Sequence, residues 1–430
     1  MKRLISILRT YYHYLKYKRY LKYKKYASLG PDYRTVNLEK EYLGNRLYLL
    51  FLRIFYLFPI KKNRVLFMSF EAGKYACNPR RISEYLAKHY PGEFEIIWAF
   101  KREEGFEWLK EQGVSRTVRY GSAKFYRLAL TSRVYVYNMR IPAMIPFRKK
   151  QTTIGTGHGG GAYKKLLLDN PNIRTTERKI QELSASHTDI LVSSCKYYTE
   201  YVVRGAFDHK GECIECGMPR NDELINHNDG KMADYIRNYY DIPLENKIIL
   251  YAPTYRKGKR NMPTDYNLDV QGIVEAAKER FGGEWTILYR MHYFIKKRLP
   301  DDLHGQHIID VTEYGDMQHL LLASDILITD YSSSVWDYSL LGRPCFLYTV
   351  DLDEYLEKQG FYVDVRDWQF PLAKNNEELV NHIRNFDEDD QKGVSGHQSL
   401  FGSYEKGTAT ETLAKRIHRE CFGKKEEETF

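Results

Sequence analysis

The sequence predicts an α/β protein made of two Rossmann-like, doubly wound domains that face one another across a central cleft. Three observations carry that expectation. Short, continuously apolar runs alternate with amphipathic stretches from about Arg64 to the C-terminus. The alternation pauses near Asn221–Glu245 and then starts again. At 430 residues the chain is long enough for two such units, each with its own core. Apolar strands separated by helices imply parallel sheets covered on both faces.

In the first series the strand candidates are RVLFMSF, FEIIWAF, RVYVYN, TTIGTG, DILVSS and GECIECG. Among the helical patterns between them is NPRRISEYLAKHY, where Asn78 can cap and Pro79 can occupy the first turn. The second series reads KIILYAP, EWTILYRMH, HIIDVT, DILITDY and PCFLYT, with MQHLLLA, VWDYSLLG, EELVNHIRNF and TETLAKRIHREC as its helices. The expected division is 1–62, 63–240 and 241–430.

Residues 1–62 differ in kind. Met1–Tyr26 holds nine Lys or Arg and no acidic residue, with seven tyrosines interleaved. LYLLFLRIFYLFPI, Leu47 to Ile60, follows; at 14 residues, with Arg53 inside it, it is shorter than the roughly 20 residues a bilayer crossing takes. Apolar bulk beside basic and aromatic residues fits a helical segment lying on an anionic membrane surface. A solvated charged helix with a core helix, or a nucleic-acid arm, are the alternatives. No cleavable signal peptide is expected, because the small-residue site after a short apolar run is missing. The net charge of +10 also favours an anionic partner.

Six cysteines are too few for a disulfide framework in a chain of this length, which points to a reducing compartment. Cys213 and Cys216 form a lone Cys-x-x-Cys without a second ligand pair, so two ordinary thiols at a strand edge are expected rather than zinc. No cofactor or metal is expected, and no dinucleotide fingerprint or Walker A sequence occurs.

In doubly wound sheets, ligands bind beyond the carboxyl ends of the strands, so the loops there are the candidate site. Four stand out. GTGHGGGAYKK, Gly155 to Lys165, offers glycines for close backbone approach, Gly159 among them, cations at Lys164 and Lys165, and His158 as a general base. GMPRND places Arg220 in a rigid turn, able to reach a phosphate or carboxylate. APTYRKGKR and YRMH supply Thr254, Arg256, Arg290 and His292. SDILITDYSSSVWDYSLLGRP delivers Asp330, Ser332 and Ser333 to a turn, with Asp337 in the helix behind. Each alone has a plain structural alternative: a tight turn, an inter-domain turn, a structural strand-end histidine, ordinary N-capping.

Taken in order, the blocks resemble the CDP-glycerol glycerophosphotransferase family, the poly(glycerol phosphate) and poly(ribitol phosphate) polymerases and primases of teichoic-acid and capsule synthesis. VLFMSFEAGKYACNPRRISEYL is similar to its opening block and CGMPRND to its G-x-P-R-N-D. ILYAPTYR and YRMH resemble L-Y-A-P-T-[WY]-R and R-M-H, and DILITDYSSSVWDYSLLGRPCFLY its longest signature. GFYVDV and FGSYEKGTAT resemble its terminal blocks. One block departs: where the family shows W-H-G-T-P-L-K, this chain has Gly157 in place of Trp and a turn one residue longer.

The resemblance implies a GT-B architecture with a membrane-associating amino-terminal region. It also implies metal-independent transfer of glycerol phosphate from CDP-glycerol to a lipid-linked polymer at the cytoplasmic face of the membrane. His158 and His292 would be the catalytic residues. Thr254, Arg256, Arg290, Asp330, Ser332, Ser333 and Asp337 would hold the donor, and Gly159, Lys164, Lys165 and Arg220 the acceptor or a phosphate. Nucleic acid is not an expected partner; a homo-oligomer is compatible with the reading. The rivals are a GT-B glycosyltransferase using a nucleotide sugar and a non-enzymatic membrane or nucleic-acid binding protein.

Overall fold

In the computed structural model, residues 51–142, 145–170, 172–173, 175–254, 268–291 and 307–423 are described. Two parallel sheets organise them. The first has strands β1 (Lys61–Met68), β2 (Glu95–Phe100), β3 (Arg116–Arg119), β4 (Ser132–Tyr137), β5 (Thr152–Gly155), β6 (Ile190–Ser193) and β7 (Glu212–Glu215). The second has β8 (Lys247–Tyr251), β9 (Trp285–Tyr289), β10 (Ile308–Asp310), β11 (Ile326–Thr329), β12 (Cys345–Tyr348) and β13 (Leu372–Ala373). Their orders are β3-β2-β1-β4-β5-β6-β7 and β10-β9-β8-β11-β12-β13. Both therefore reverse direction at one point, between β1 and β4 and between β8 and β11, where a crevice opens at the carboxyl edge.

The strands earn their places by burial on both faces: Ile248, Ile249, Leu250 and Tyr251 of β8 are all buried, as are Val65, Leu66, Phe67 and Met68 of β1. Each buried aliphatic side chain contributes about 1.5–3 kcal/mol. β3 and β13 were not among the sequence candidates. β3 (RTVR) buries only Val118, and β13 is two residues long, so neither carries an apolar run.

The helix Cys77–His89 starts one residue before the predicted cap. Ala76 is the N-cap, without a side-chain bond, and Pro79 lies in the first turn. Asn78 instead turns inward and is fully buried. The last helix, Ala409–Phe422, spaces Leu413, Ile417 and Cys421 four residues apart on one face and buries them against the first sheet. The chain thus returns to the first lobe after building the second. One hydrophobic cluster also runs from Tyr163, Tyr198 and Val202 of the first lobe to Trp336, Trp368 and Phe401.

All six cysteines are free thiols, and Cys213 sits on edge strand β7. Most of residues 1–62 lies outside the described residues. From Phe51 on, Phe51, Ile54, Leu57 and Phe58 are exposed beside the short turn Arg53–Leu57, while Leu52 is buried. Among the described residues no helix is long and apolar enough to cross a membrane.

Candidate active site

The loop after β5, next to the first switch point, meets the loop after β11 at the second. After β5 the chain enters Thr156–Gly161, where Gly157 and Gly161 take positive φ of 62° and 68°. A Cβ at Gly159 would stand 2.8 Å from Ser333 Oγ, and one at Gly160 would collide with the Trp336 ring. Glycine is therefore required here for close approach, and Gly159 lets the first lobe's loop lie against the second lobe's serine turn.

His158 sits in that loop with its ring open to the concave site. Its Nδ1 lies 3.0 Å from the Asn138 carbonyl, which can only accept, so Nδ1 carries the proton and Nε2 presents a lone pair. The surrounding protein disfavours the imidazolium and lowers the His158 pKa; the Asn138 bond opposes this, and Arg220 and Lys164 add to it. A neutral imidazole held in one tautomer is what a general base requires.

Asn138, at the end of β4, was not a sequence candidate, yet it braces both sides of the switch point. Its Oδ1 accepts from Phe70 N at 2.8 Å. Phe70, Glu71 and Ala72 all have positive φ, 47°, 52° and 64°, a left-handed turn that costs about 1–2 kcal/mol per residue. Asn78 performs a similar service: its Nδ2 donates to the Thr156 and Gly157 carbonyls at 2.9 and 3.0 Å, and its Oδ1 accepts from Arg220 N at 2.9 Å.

Arg220 does not stand free for a phosphate. It is buried, its guanidinium 2.6 Å from the Asp337 carboxylate, with further donation to the His158 carbonyl and to Cys77 Sγ. Asp337 also accepts from Gln318 Nε2 at 3.1 Å. Burial lifts the Asp337 carboxyl above its ordinary range, with Arg220 the chief opposing influence. Arg220 Nε and Asp337 Oδ1 are left without a hydrogen-bond partner among the described residues. They form an ion pair between the lobes that also supports the His158 backbone.

Glu405, from the return crossing, is a second such tie. It accepts from Met218 N at 2.9 Å, Asn221 Nδ2 at 2.9 Å and Trp336 Nε1 at 3.0 Å. Burial pushes its pKa up to about 7, against those three bonds.

At the second switch point, Asp330 is fully buried and accepts from Thr254 N at 2.9 and 3.0 Å and from Thr254 Oγ1 at 2.5 Å. These two expected donor-side residues are therefore adjacent, and Asp330 fixes the Thr254 turn. Arg290 donates through Nη1 to the Val311 and Tyr314 carbonyls at 3.3 and 2.9 Å, and burial lowers its pKa. Lys74, beyond the left-handed turn of the first lobe, has its pKa lowered by burial and then by Arg290. That places two cations of opposite lobes within electrostatic reach of each other, and Lys74 was not among the candidates. Ser332 and Ser333 are partly exposed; Ser332 Oγ accepts from Ser334 N at 3.3 Å. The helix behind them, Ser334–Ser339, is only six residues, so the hydroxyls matter more than its dipole.

Lys164 lines the cavity beside His158, its ammonium 5.7 Å from the centre of the Tyr355 ring. Lys165 turns elsewhere: its N–H donates to the Gly360 carbonyl at 3.1 Å, at the lobe–lobe contact. Arg256 and His292 lie outside the described residues.

Glu223, Asp316 and His319 bring their ligand atoms within 4.8 Å of one another. Arg80 and Arg81 already engage these carboxylates, Arg80–Asp316 and Arg81–Asp316 each at 3.0 Å. Those guanidinium groups occupy the place a cation would take. Burial would raise the Asp316 carboxyl, but Arg81, His319 and Arg80 outweigh it and hold it low.

Comparison with known proteins adds an independent line. The family model described as CDP-Glycerol:Poly(glycerophosphate) glycerophosphotransferase matches residues 50–419. A teichoic acid poly(glycerol phosphate) polymerase of Staphylococcus epidermidis is 32% identical over 374 residues, 84% of this chain and 51% of the relative. A teichoic acid glycerol-phosphate transferase of Staphylococcus aureus is 30% identical, over 83% of this chain and 93% of that protein. The chain spans about half the length of the first of these and nearly all of the second. A solved structure of the wall teichoic acid polymerase TagF, a histidine variant soaked with CDPG, superposes with a TM-score of 0.75 at 29% identity, covering 90% of this chain and 98% of that one. The fold is of that TagF-like GT-B type.

Proposed function

Because the chain belongs to the CDP-glycerol:poly(glycerophosphate) glycerophosphotransferase family, we propose that it moves glycerol phosphate, or a related polyol phosphate, from CDP-glycerol to a hydroxyl of a membrane-linked teichoic-acid or capsular polymer and releases CMP. The observation that carries this reading is the His158 imidazole, neutral and fixed by Asn138, set against the Ser333 turn of the opposite lobe.

In this mechanism Nε2 of His158 takes the proton of the acceptor hydroxyl. The freed oxygen attacks the phosphorus that bears glycerol, the bond from that phosphorus to the CMP oxygen breaks, and CMP departs with the electron pair. Phosphoryl transfer rests on positioning and on fixed donors for the charge that shifts to the leaving group. Ser332, Ser333, Arg290 and Lys74 are suited to that role, with Thr254 fixed by Asp330. Arg256 and His292 are assigned to the same donor side on their sequence blocks.

Residues 63–240 would serve the acceptor and 241–430 the CDP donor. Residues 1–62, with the exposed Phe51, Ile54, Leu57 and Phe58, would rest the enzyme on the anionic cytoplasmic face of the membrane. The test is nucleotide release: purified protein with a lipid-linked acceptor should free CMP from CDP-glycerol and lengthen the acceptor by glycerol phosphate, as read by mass. Release from UDP-sugars instead, with none from CDP-glycerol or CDP-ribitol, would overturn the reading.

A further inference from the structure

The cavity beside His158 measures about 360 Å³ and is walled mainly by apolar side chains, Leu166, Leu191, Val202 and Phe207 among them. Three charged side chains interrupt that wall: Glu71, Arg140 and Lys164. Arg140 and Lys164 belong to the loops after β4 and β5, at the His158 end. Arg140 lies in none of the sequence blocks singled out above and has no part in the proton transfer to His158.

One residue sets where these charges stand. Asn138, just past β4, holds His158 Nδ1 with its carbonyl at 3.0 Å and Phe70 N with its side chain at 2.8 Å. Glu71 follows Phe70 directly, and Arg140 lies two residues beyond Asn138. Two residues of chain span at most about 7 Å, so the Arg140 side chain leaves the backbone close to the His158 ring. Arg140 and Glu71 are both exposed, and neither is in an ion pair among the described residues. Lys164 bears on the same ring, where it helps to disfavour the imidazolium.

An exposed arginine on a loop is ordinarily a solvated charge. This one lines the chamber of the candidate base, whose other walls are mainly apolar. Its guanidinium presents paired N–H donors that match the two free oxygens of a phosphodiester. Glu71 repels the same group. The opening therefore has a polarity: an anionic linkage is drawn toward Arg140 and Lys164 and turned away from Glu71.

We propose that Arg140 binds the phosphodiester one glycerol behind the attacking hydroxyl of the acceptor, so that the hydroxyl meets His158 Nε2 while the charge next to it is held on the loop after β4. The inference rests on the acceptor reading above and deepens it: the acceptor recognised is one that already ends in a polyol phosphate, not a neutral sugar. Arg140 takes no proton and touches no bond that forms or breaks; it sets affinity and specificity.

The experiment is equilibrium binding to the full chain, which needs no turnover, followed by CMP release with the same acceptors. The probes are a glycerol phosphate tetramer with a free terminal glycerol and two neutral methyl triesters of it. One triester is methylated at the phosphate next to that glycerol, the other at the remotest diester. The unmodified tetramer should bind about tenfold more tightly than the near triester, as one charge-assisted contact is worth, and nearly as well as the remote one. Arg140→Gln should erase that preference by weakening the unmodified tetramer and the remote triester, with the CDP-glycerol dissociation constant and the melting curve as in the parent. Arg140→Lys should restore part of it. In turnover the loss should appear in the acceptor KM, with kcat little changed.

Equal affinity for the two triesters would overturn the proposal, because no single phosphate is then read. A loss in Arg140→Gln shared equally by all three probes would do the same, leaving Arg140 only a general charge. Failure of the two readings is separable. CMP release without the positional preference defeats the Arg140 assignment alone. The preference, erased in Arg140→Gln but without CMP release, defeats the transferase reading alone.

Discussion

The two switch points share a strand order but are finished in opposite ways. In the second lobe, the gap between β8 and β11 is closed by Asp330, which takes three hydrogen bonds from Thr254. In the first, the gap between β1 and β4 is braced by Asn138, which leaves the His158 ring open and a cavity behind it. One lobe thus offers a rigid turn. The other offers a reactive side chain and room. The same topology supports both because strand order fixes only where a crevice opens, and the loop residues decide how it is filled.

The sharpest way to break this contrast is at His158. His158→Ala should lower CMP release by a hundredfold or more while CDP-glycerol binding persists, measured by single-turnover kinetics and calorimetry. Undiminished turnover would remove the base from the first lobe and leave the lobes functionally alike.

Next in size is the ion pair that joins them. Asp337→Ala strands a buried guanidinium and should cost about 3–5 kcal/mol in denaturant unfolding. Replacing both partners, Arg220→Met with Asp337→Leu, should recover much of that loss. If the single variant is as stable as the parent, the pair is not the lobe tie described.

Asp330→Asn is a smaller change confined to the second lobe. Weakened bonding to Thr254 should cost about 1–3 kcal/mol, read as a rise in the KM for CDP-glycerol with the acceptor KM little altered. A rise in the acceptor KM instead would reverse the assignment of lobes.

The mildest tests use pH. Because His158 is lowered, the acid limb of the rate should fall below the ordinary histidine value of 6.5. Glu405 acts in the opposite sense on stability. Its folded pKa of about 7 exceeds the ordinary 4.5, so the native state holds the proton longer than the unfolded chain. Its contribution is full below pH 4.5 and is lost as pH rises through about 7. Glu405→Gln should flatten that part of the profile, checked by unfolding at a series of pH values.

Much of the fold was legible because burial on both faces leaves continuous apolar runs; the eleven predicted strand segments each overlap a strand. Short or polar strands such as β3 leave no such trace. The site divided along a different line. His158 and the Ser332–Ser333 turn announce themselves locally, through glycine and hydroxyl clusters at strand ends. Arg220, Asp330 and Asp337 have the right chemistry for ligands, yet their partners are other side chains remote in the sequence, and no local pattern reveals that. Asn138, Asn78 and Glu405 were missed for the same reason: an isolated amide or carboxylate looks ordinary until the fold brings its partner.

The return of the final helix to the first sheet has a mechanical consequence. The backbone passes between the lobes twice, once after β7 and once through Phe401–Ala409, so the halves are joined like a door on two pins. A second fastening holds that door shut. Lys164 and Phe361 form an antiparallel bridge, and Tyr362 N–H donates to the Tyr163 carbonyl at 2.8 Å. Any swing about the pins has to break these bonds first.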